Sequence, residues 1–218
     1  MSSSVAITDR ADAEIDAAIR AIFGRRAELA EAYAALLVGD GITRGVVGPR
    51  EASRIWERHL LNSACIAPLI APGSTVVDLG SGAGLPGIPI AIARPDLDVT
   101  LLEPMQRRVS FLQDSIRRLR LDTVRVVQGR AGGSPSLRAG LTGPADVVVV
   151  RAVARLDRLI QLSVGLLSNS GVLLALKGAG AEGEVEEVRA TTSADLELVR
   201  LPAPGRDVTV IKVRRGTR

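Results

Sequence analysis

The sequence predicts an α/β fold: a mostly parallel sheet that ends in an antiparallel hairpin, preceded by an N-terminal helical extension. Three observations predict it. After Pro72 and Gly73 the apolar pattern alternates strand with helix, and near-continuous runs such as Val147, Val148, Val149 and Val150 suit strands buried on both faces. Before Pro72 the apolar residues recur only at helical spacing. At the other end, two strand-like runs follow one another with no helix between them.

Each element follows in order. Ile15, Ile19, Ile22 and Phe23, then Leu29, Tyr33, Leu36 and Leu37, predict two amphipathic helices broken at Gly24. A glycine-rich turn leads to Pro49, suited to a first helical turn, and Ile55, Trp56, Leu60 and Ile66 continue a third helix. Residues 1–72 therefore read as the helical extension and 73–218 as the α/β domain. Strands are expected at Ser74–Leu79, Val99–Glu103, Val124–Gln128, Asp146–Val150 and Gly171–Lys177. Helices are expected near Leu85–Ala93, Met105–Leu119, Leu156–Leu167 and Glu182–Thr192. Leu196–Pro202 and Val208–Arg214, joined by a tight Pro-Gly turn, read as the closing hairpin.

The segment Val76–Pro89 says where a ligand sits. A short strand carrying Asp78 runs into Gly80, Gly82, Gly84 and Gly87. Glycines let the chain turn sharply and bring main-chain N–H groups against a ligand ahead of the next helix. The following strand ends on Glu103, 25 residues beyond Asp78. An acid at that strand tip is placed to accept both hydroxyls of a ribose.

Two nucleoside ligands suit such a corner. Gly82, Gly84 and Gly87 spell the dinucleotide pattern G-x-G-x-x-G, but Pro86 lies inside the loop and Asp78 precedes it. S-adenosylmethionine (SAM) carries an ammonium and a sulfonium and no phosphate, so an acid beside the glycines suits it and repels a pyrophosphate. A purely structural βα turn is the third reading. The closing hairpin favours SAM, because a parallel sheet finished in this way is the arrangement of class I SAM-dependent methyltransferases.

Composition bounds the function. The 218 residues support one sizeable core. No apolar run approaches the roughly 20 residues of a membrane span, and the N-terminus is too acidic for a signal peptide, so a soluble cytoplasmic protein is expected. Cys65 is the single cysteine and His59 the single histidine, which leaves no metal-site arithmetic, and no metal is expected. The net charge of +4 and pI near 10.1 permit a polyanionic partner. Arg107, Arg108, Arg117, Arg118, Arg120 and Arg125 cluster around one helix and its exit. With only Tyr33, Trp56, Phe23 and Phe111 as aromatics, a base-stacking platform is not expected.

Beyond these features the chain resembles the small-subunit ribosomal RNA methyltransferase G family, also called glucose-inhibited division protein B. The matching segments are Ile55–Ala64, Val76–Pro95, Leu101–Leu112, Gln128–Ala131, Val150–Ala154 and Ala175–Gly178, in that order. The resemblance implies methylation of guanine N7 in the decoding-region loop of 16S rRNA, with SAM as donor and rRNA or the small subunit as partner. It also implies low-level streptomycin resistance on loss of function. Its cofactor contacts map onto Gly80, Leu85, Ala131, the following Gly132 and Arg151. The family usually carries Glu where this chain has Gly132, so only a backbone contact carries over there.

The chemistry agrees with what the chain lacks. Guanine N7 holds a lone pair and no proton, so its methylation needs alignment and no general base. Cytosine C5 chemistry needs a cysteine nucleophile in the site, and Cys65 lies in the helical extension. Arg151, at the carboxyl end of a central strand, is the expected substrate-positioning residue. For His59 a packed or surface role outweighs contact with RNA or ligand, and for Lys177 a phosphate contact competes evenly with a solvated lysine. Two other functions stand beside this one: a nucleotide-dependent oxidoreductase, and a non-catalytic RNA-binding module with a vestigial pocket. The chain is expected to act as a monomer.

Overall fold

The computed structural model describes residues 2–132, 140–141, 143–151 and 153–214, with side chains from residue 13 onward. Its strands are β1 (Thr75–Leu79), β2 (Asp98–Glu103), β3 (Val124–Gln128), β4 (Ala145–Arg151), β5 (Leu167–Lys177), β6 (Asp195–Leu201) and β7 (Val208–Arg214). They form one sheet in the order β3-β2-β1-β4-β5-β7-β6. Pairs from β3 through β5 are parallel, whereas β7 runs antiparallel to both β5 and β6. The strand order reverses at β1, with β2 on one side and β4 on the other. Open α/β sheets bind ligands at the carboxyl ends of the strands where this happens. Asp78 sits there, paired with Leu101 of β2 and Val149 of β4.

Alternation along the strands builds two apolar layers. Val76, Val99, Val147 and Val149 face one side, together with Ile88 and Ile90 of α4 (Gly87–Ala93) and Phe111 of α5 (Gln106–Arg118). Val77, Leu102, Val148 and Val150 face the other, packed with Leu156 and Leu159 of α6 (Leu156–Val164) and Val185 of α7 (Ala181–Arg189). The helical extension joins the first layer. Its α1 (Ser2–Phe23) and α2 (Ala27–Leu36) contribute Ile19, Phe23 and Tyr33 to the same buried cluster. The change of sequence pattern near residue 72 thus lies within one continuous core.

Three departures from the expected elements have local causes. The third N-terminal helix divides into a 3₁₀ turn, Pro49–Arg54, a π-type turn, Ile55–Leu61, and a short α3 (Asn62–Ala64). Strand β5 starts at Leu167, four residues before the expected Gly171, through an irregularity that pairs Ala145 with Leu167 and then Val147 with Val172. Helix α4 begins at Gly87 because Leu85 and Pro86 belong to the loop. Among the described residues no helix is long and apolar enough to cross a membrane.

Candidate functional site

The loop after β1 is fastened to its neighbours before any ligand is considered. Gly80, at φ +73, and Ser81 both donate their N–H groups to the Leu102 carbonyl at 2.8 and 3.1 Å. The Ser81 hydroxyl donates to the Asp78 carbonyl at 2.9 Å. From above, the fully buried Tyr33 of α2 donates its hydroxyl to the Ala83 carbonyl at 2.5 Å. Gly84 has φ +92, and a Cβ there would lie 2.5 Å from Ile88 Cδ1 and 2.8 Å from Tyr33 Oη. Gly84→Ala combines left-handed strain of roughly 1–2 kcal/mol with overpacking of roughly 1–3 kcal/mol. We expect it to lower unfolding stability by about 2–5 kcal/mol in urea titrations, and a loss below about 1 kcal/mol would show that the loop relaxes around the methyl group.

Two carboxylates lie at the strand tips in different surroundings. Asp78 is fully buried, and its Oδ2 accepts the Gly87 N–H at 2.9 Å at the start of α4. Its Oδ1 has no hydrogen-bond partner among the described residues. Burial raises its pKa to about 7, and the Gly87 N–H offsets part of that rise. Glu103 is also buried, with Oε2 accepting the Gly82 N–H and Oε1 the Met105 N–H, both at 2.9 Å. A carboxylate offers about four lone-pair sites, so two remain for a ligand.

Arg151, at the end of β4, is held by the helical extension. Its Nη1 donates to Ser63 Oγ at 3.2 Å, and its Nη2 lies 2.8 Å from His59 Nδ1. A guanidinium only donates, so Nδ1 is the acceptor and the ring proton sits on Nε2, which donates to Glu51 Oε2 at 2.7 Å. The result is a chain Arg151–His59–Glu51 that requires neutral imidazole. Burial, with Arg151 and Arg58 nearby, lowers the His59 pKa, and the Glu51 hydrogen bond opposes that. An unfolded histidine gains its proton as pH falls through about 6.5, while the folded ring resists. This contribution to stability is present above that pH and lost below it. Because the chain has one histidine, NMR titration of its ring is unambiguous. We expect a folded pKa below the ordinary value and an upward move in Arg151→Ala; an unmoved pKa would show that the two side chains do not interact.

A cleft of about 470 Å³ opens over these groups. Of the residues expected from sequence, Gly80, Gly82, Leu85, Glu103 and Arg151 line it, and so does His59. Asp78 and Gly84 lie beneath the loop, in packing positions. Ala131 packs against the second apolar layer and Gly132 turns at φ +76, with Arg130 rather than either of them lining the cleft. Met105 and Val153 also line it and carried no signal in the sequence, and Arg108, which stood there only as one of the arginine cluster, lines it too. The cleft's buried acid and left-handed glycine loop fit a cationic nucleoside such as SAM, and the orphaned Asp78 Oδ1 beneath the loop is suited to a donor. Three arginines, Arg108, Arg130 and Arg151, also line the cleft, with Arg108 Nη1 3.9 Å from Glu103 Oε1.

A second cleft, of about 580 Å³, adjoins the first and shares Arg151. Lys177 lines it, but its ammonium is engaged, donating to the Ala154 carbonyl and to Glu184 Oε2, both at 2.8 Å. Cys65 lines neither cleft; its thiol donates to the Asn62 carbonyl at 3.3 Å, and burial raises its pKa to about 11. Among the described residues no group of three or more His, Cys, Asp or Glu side chains is placed to hold a metal ion.

Comparisons with known proteins bear on this geometry. The profile of a family described as rRNA small subunit methyltransferase G matches residues 26–206. The protein named ribosomal RNA small subunit methyltransferase G from Mycobacterium marinum is 51% identical over 208 residues, covering 93% of this chain and 90% of the relative. Its namesake from Salinispora tropica is 55% identical over 178 residues, covering 80% and 73%. Among solved structures, the B. subtilis M1A22 tRNA methyltransferase TrmK is similar at a TM-score of 0.56 and 15% identity, over 73% of this chain and 66% of that one. A precorrin-6y C5,15-methyltransferase from Geobacter metallireducens is similar at 0.53 and 14% identity, over 78% and 91%. At these identities the two structures carry the fold alone, a class I SAM-dependent methyltransferase fold.

Proposed function

The chain belongs to the rRNA small subunit methyltransferase G family, and from that premise we propose that it methylates guanine N7 of 16S rRNA, as a monomer, in the cytoplasm. It is a SAM-dependent methyltransferase of 16S rRNA. Membership removes the oxidoreductase and the non-catalytic RNA binder from contention. The N7 reading rests on the family resemblance, and one observation agrees with it: the residues lining the nucleoside cleft include no cysteine, and its His59 and Glu103 are already hydrogen-bonded. Guanine N7 needs neither a cysteine nucleophile nor a general base, a property it shares with other unprotonated ring nitrogens such as adenine N1, so it is the family that singles out guanine.

Bound SAM supplies a methyl group on a sulfonium, open to direct attack by a lone pair. The chain's residues bind and orient. Glu103 accepts the ribose hydroxyls with the lone pairs that Gly82 and Met105 leave free. Gly80 and Gly82 let the backbone approach the methionine moiety. Arg151 holds the base in line by donating to O6 or to a neighbouring phosphate. N7 becomes cationic on methylation, so this arginine acts by position rather than by stabilising product charge.

The test is mass-spectrometric mapping of rRNA from cells with and without the protein. One 7-methylguanosine should vanish from 16S rRNA on deletion and return with the gene. A modification lost from another atom or another RNA would overturn the N7 reading.

A further inference from the structure

Resting on that reading, we infer that the second cleft is the seat of the target guanosine, with the Watson–Crick edge toward Glu57 and Asn62 and the flanking phosphates toward Arg54, Arg58 and Arg206. The cleft joins two segments far apart in sequence, the π-type turn of the extension and the turn before β7, and these meet where the Glu57 carboxylate lies against Gly205. Arg151 lines both this cleft and the nucleoside cleft and stands between them. A base placed there shares Arg151 with whatever occupies the nucleoside cleft.

The polar groups match a guanine nucleotide. Arg54 and Arg206 are exposed and, among the described residues, have no hydrogen bond or ion pair; Arg58 lies 3.8 Å from Glu51. By contrast Arg117, Arg118 and Arg125 of the cluster seen in the sequence are paired with Asp114, Asp40 and Asp98. Unpaired arginines at a cleft mouth are free to take phosphates without first breaking an ion pair. Asp207, exposed at the mouth, disfavours a phosphate beside it. On the floor, Asn62 Oδ1 is buried with no hydrogen-bond partner, and the half-buried Glu57 carboxylate has no ion-pair partner among the described residues. Guanine presents N1–H and the N2 amino group side by side, a donor pair that these acceptors complement. Adenine offers an acceptor at N1 instead. Reading that edge requires the base to be splayed out of its stack, as single-stranded loops allow.

The experiment measures methyl transfer from labelled SAM to small ribosomal subunits purified from cells lacking the protein. For Arg54→Ala combined with Arg206→Ala we expect KM for the subunit to rise at least about tenfold, with kcat and the Kd for SAM little changed. The slope of log affinity against log salt should fall by about 0.7 for each phosphate that the variant no longer neutralises. Glu57→Gln and Asn62→Leu should lower kcat/KM at least about tenfold while leaving that slope alone. Arg125→Ala, at a paired site on β3, is the control and should behave as wild type. Thermal melts identify any variant that fails to fold; the arginine pair is exposed, so the test survives failure of the Asn62 variant. Unchanged KM and salt slope in the double arginine variant would overturn the assignment of this cleft. Wild-type protein that leaves 16S rRNA unmethylated would sink the parent reading instead.

Discussion

Glu103→Ala is expected to weaken SAM binding at least about tenfold in calorimetric titrations. Charge-assisted hydrogen bonds from ribose hydroxyls are worth roughly 1.5–3 kcal/mol each, and 1.4 kcal/mol is a factor of ten. The structure adds a second consequence. Both Glu103 oxygens already accept backbone N–H groups, from Gly82 and Met105. Removing the carboxylate strands two donors at a buried position, at about 1–3 kcal/mol each if water does not replace it. The variant should therefore unfold at lower urea as well as bind less well. Glu103→Gln should rescue little, since its amide NH2 must face one of those N–H donors. Unchanged affinity for SAM in either variant would move the ribose contact elsewhere.

Arg151→Ala is expected to reduce methyl transfer to rRNA by about tenfold to a hundredfold while SAM binding falls less. A misplacement of about 1 Å can cost on the order of a hundredfold in rate, and this side chain stands between the two clefts. Arg151→Lys should recover little. One ammonium on a flexible stem does not reproduce a planar fork that reaches both Ser63 Oγ and His59 Nδ1. Full activity of the lysine variant would show that charge alone matters there. Equal losses of SAM affinity and turnover would make Arg151 a cofactor ligand.

What sequence made legible was local. The glycine corner and Glu103 stand on neighbouring strand ends and follow from strand and turn chemistry alone. The closing hairpin followed from two apolar runs without a helix. Contacts across long separations left no local trace: Tyr33 meets Ala83 50 residues on, and Arg151 meets His59 92 residues back. His59 reads alone as an ordinary helical residue, because its meaning comes from Glu51 on one ring nitrogen and Arg151 on the other. Within the arginine cluster the pairings were equally invisible, since Arg118 finds Asp40 78 residues away and Arg125 finds Asp98 across the sheet. Gly84 was legible as a glycine position, but the crowding by Ile88 and Tyr33 that a side chain there would meet was not. Arg215 and Arg218, two further arginines that the sequence places after Arg214, lie outside the described residues.

The shared core of extension and sheet governs the order in which the chain can mature during its own synthesis. In synthesis α1 and α2 precede the sheet, with Ile19, Phe23 and Tyr33 belonging to a cluster whose later members, Ile88 of α4 among them, have not yet been made. The nascent helices therefore carry an unsatisfied apolar face until the glycine loop and α4 leave the ribosome, which also brings the Ala83 carbonyl that the Tyr33 hydroxyl needs. A polypeptide released before that point exposes this face to aggregation and proteolysis. One cut near residue 72 in the finished protein would likewise separate halves that hold each other's shape.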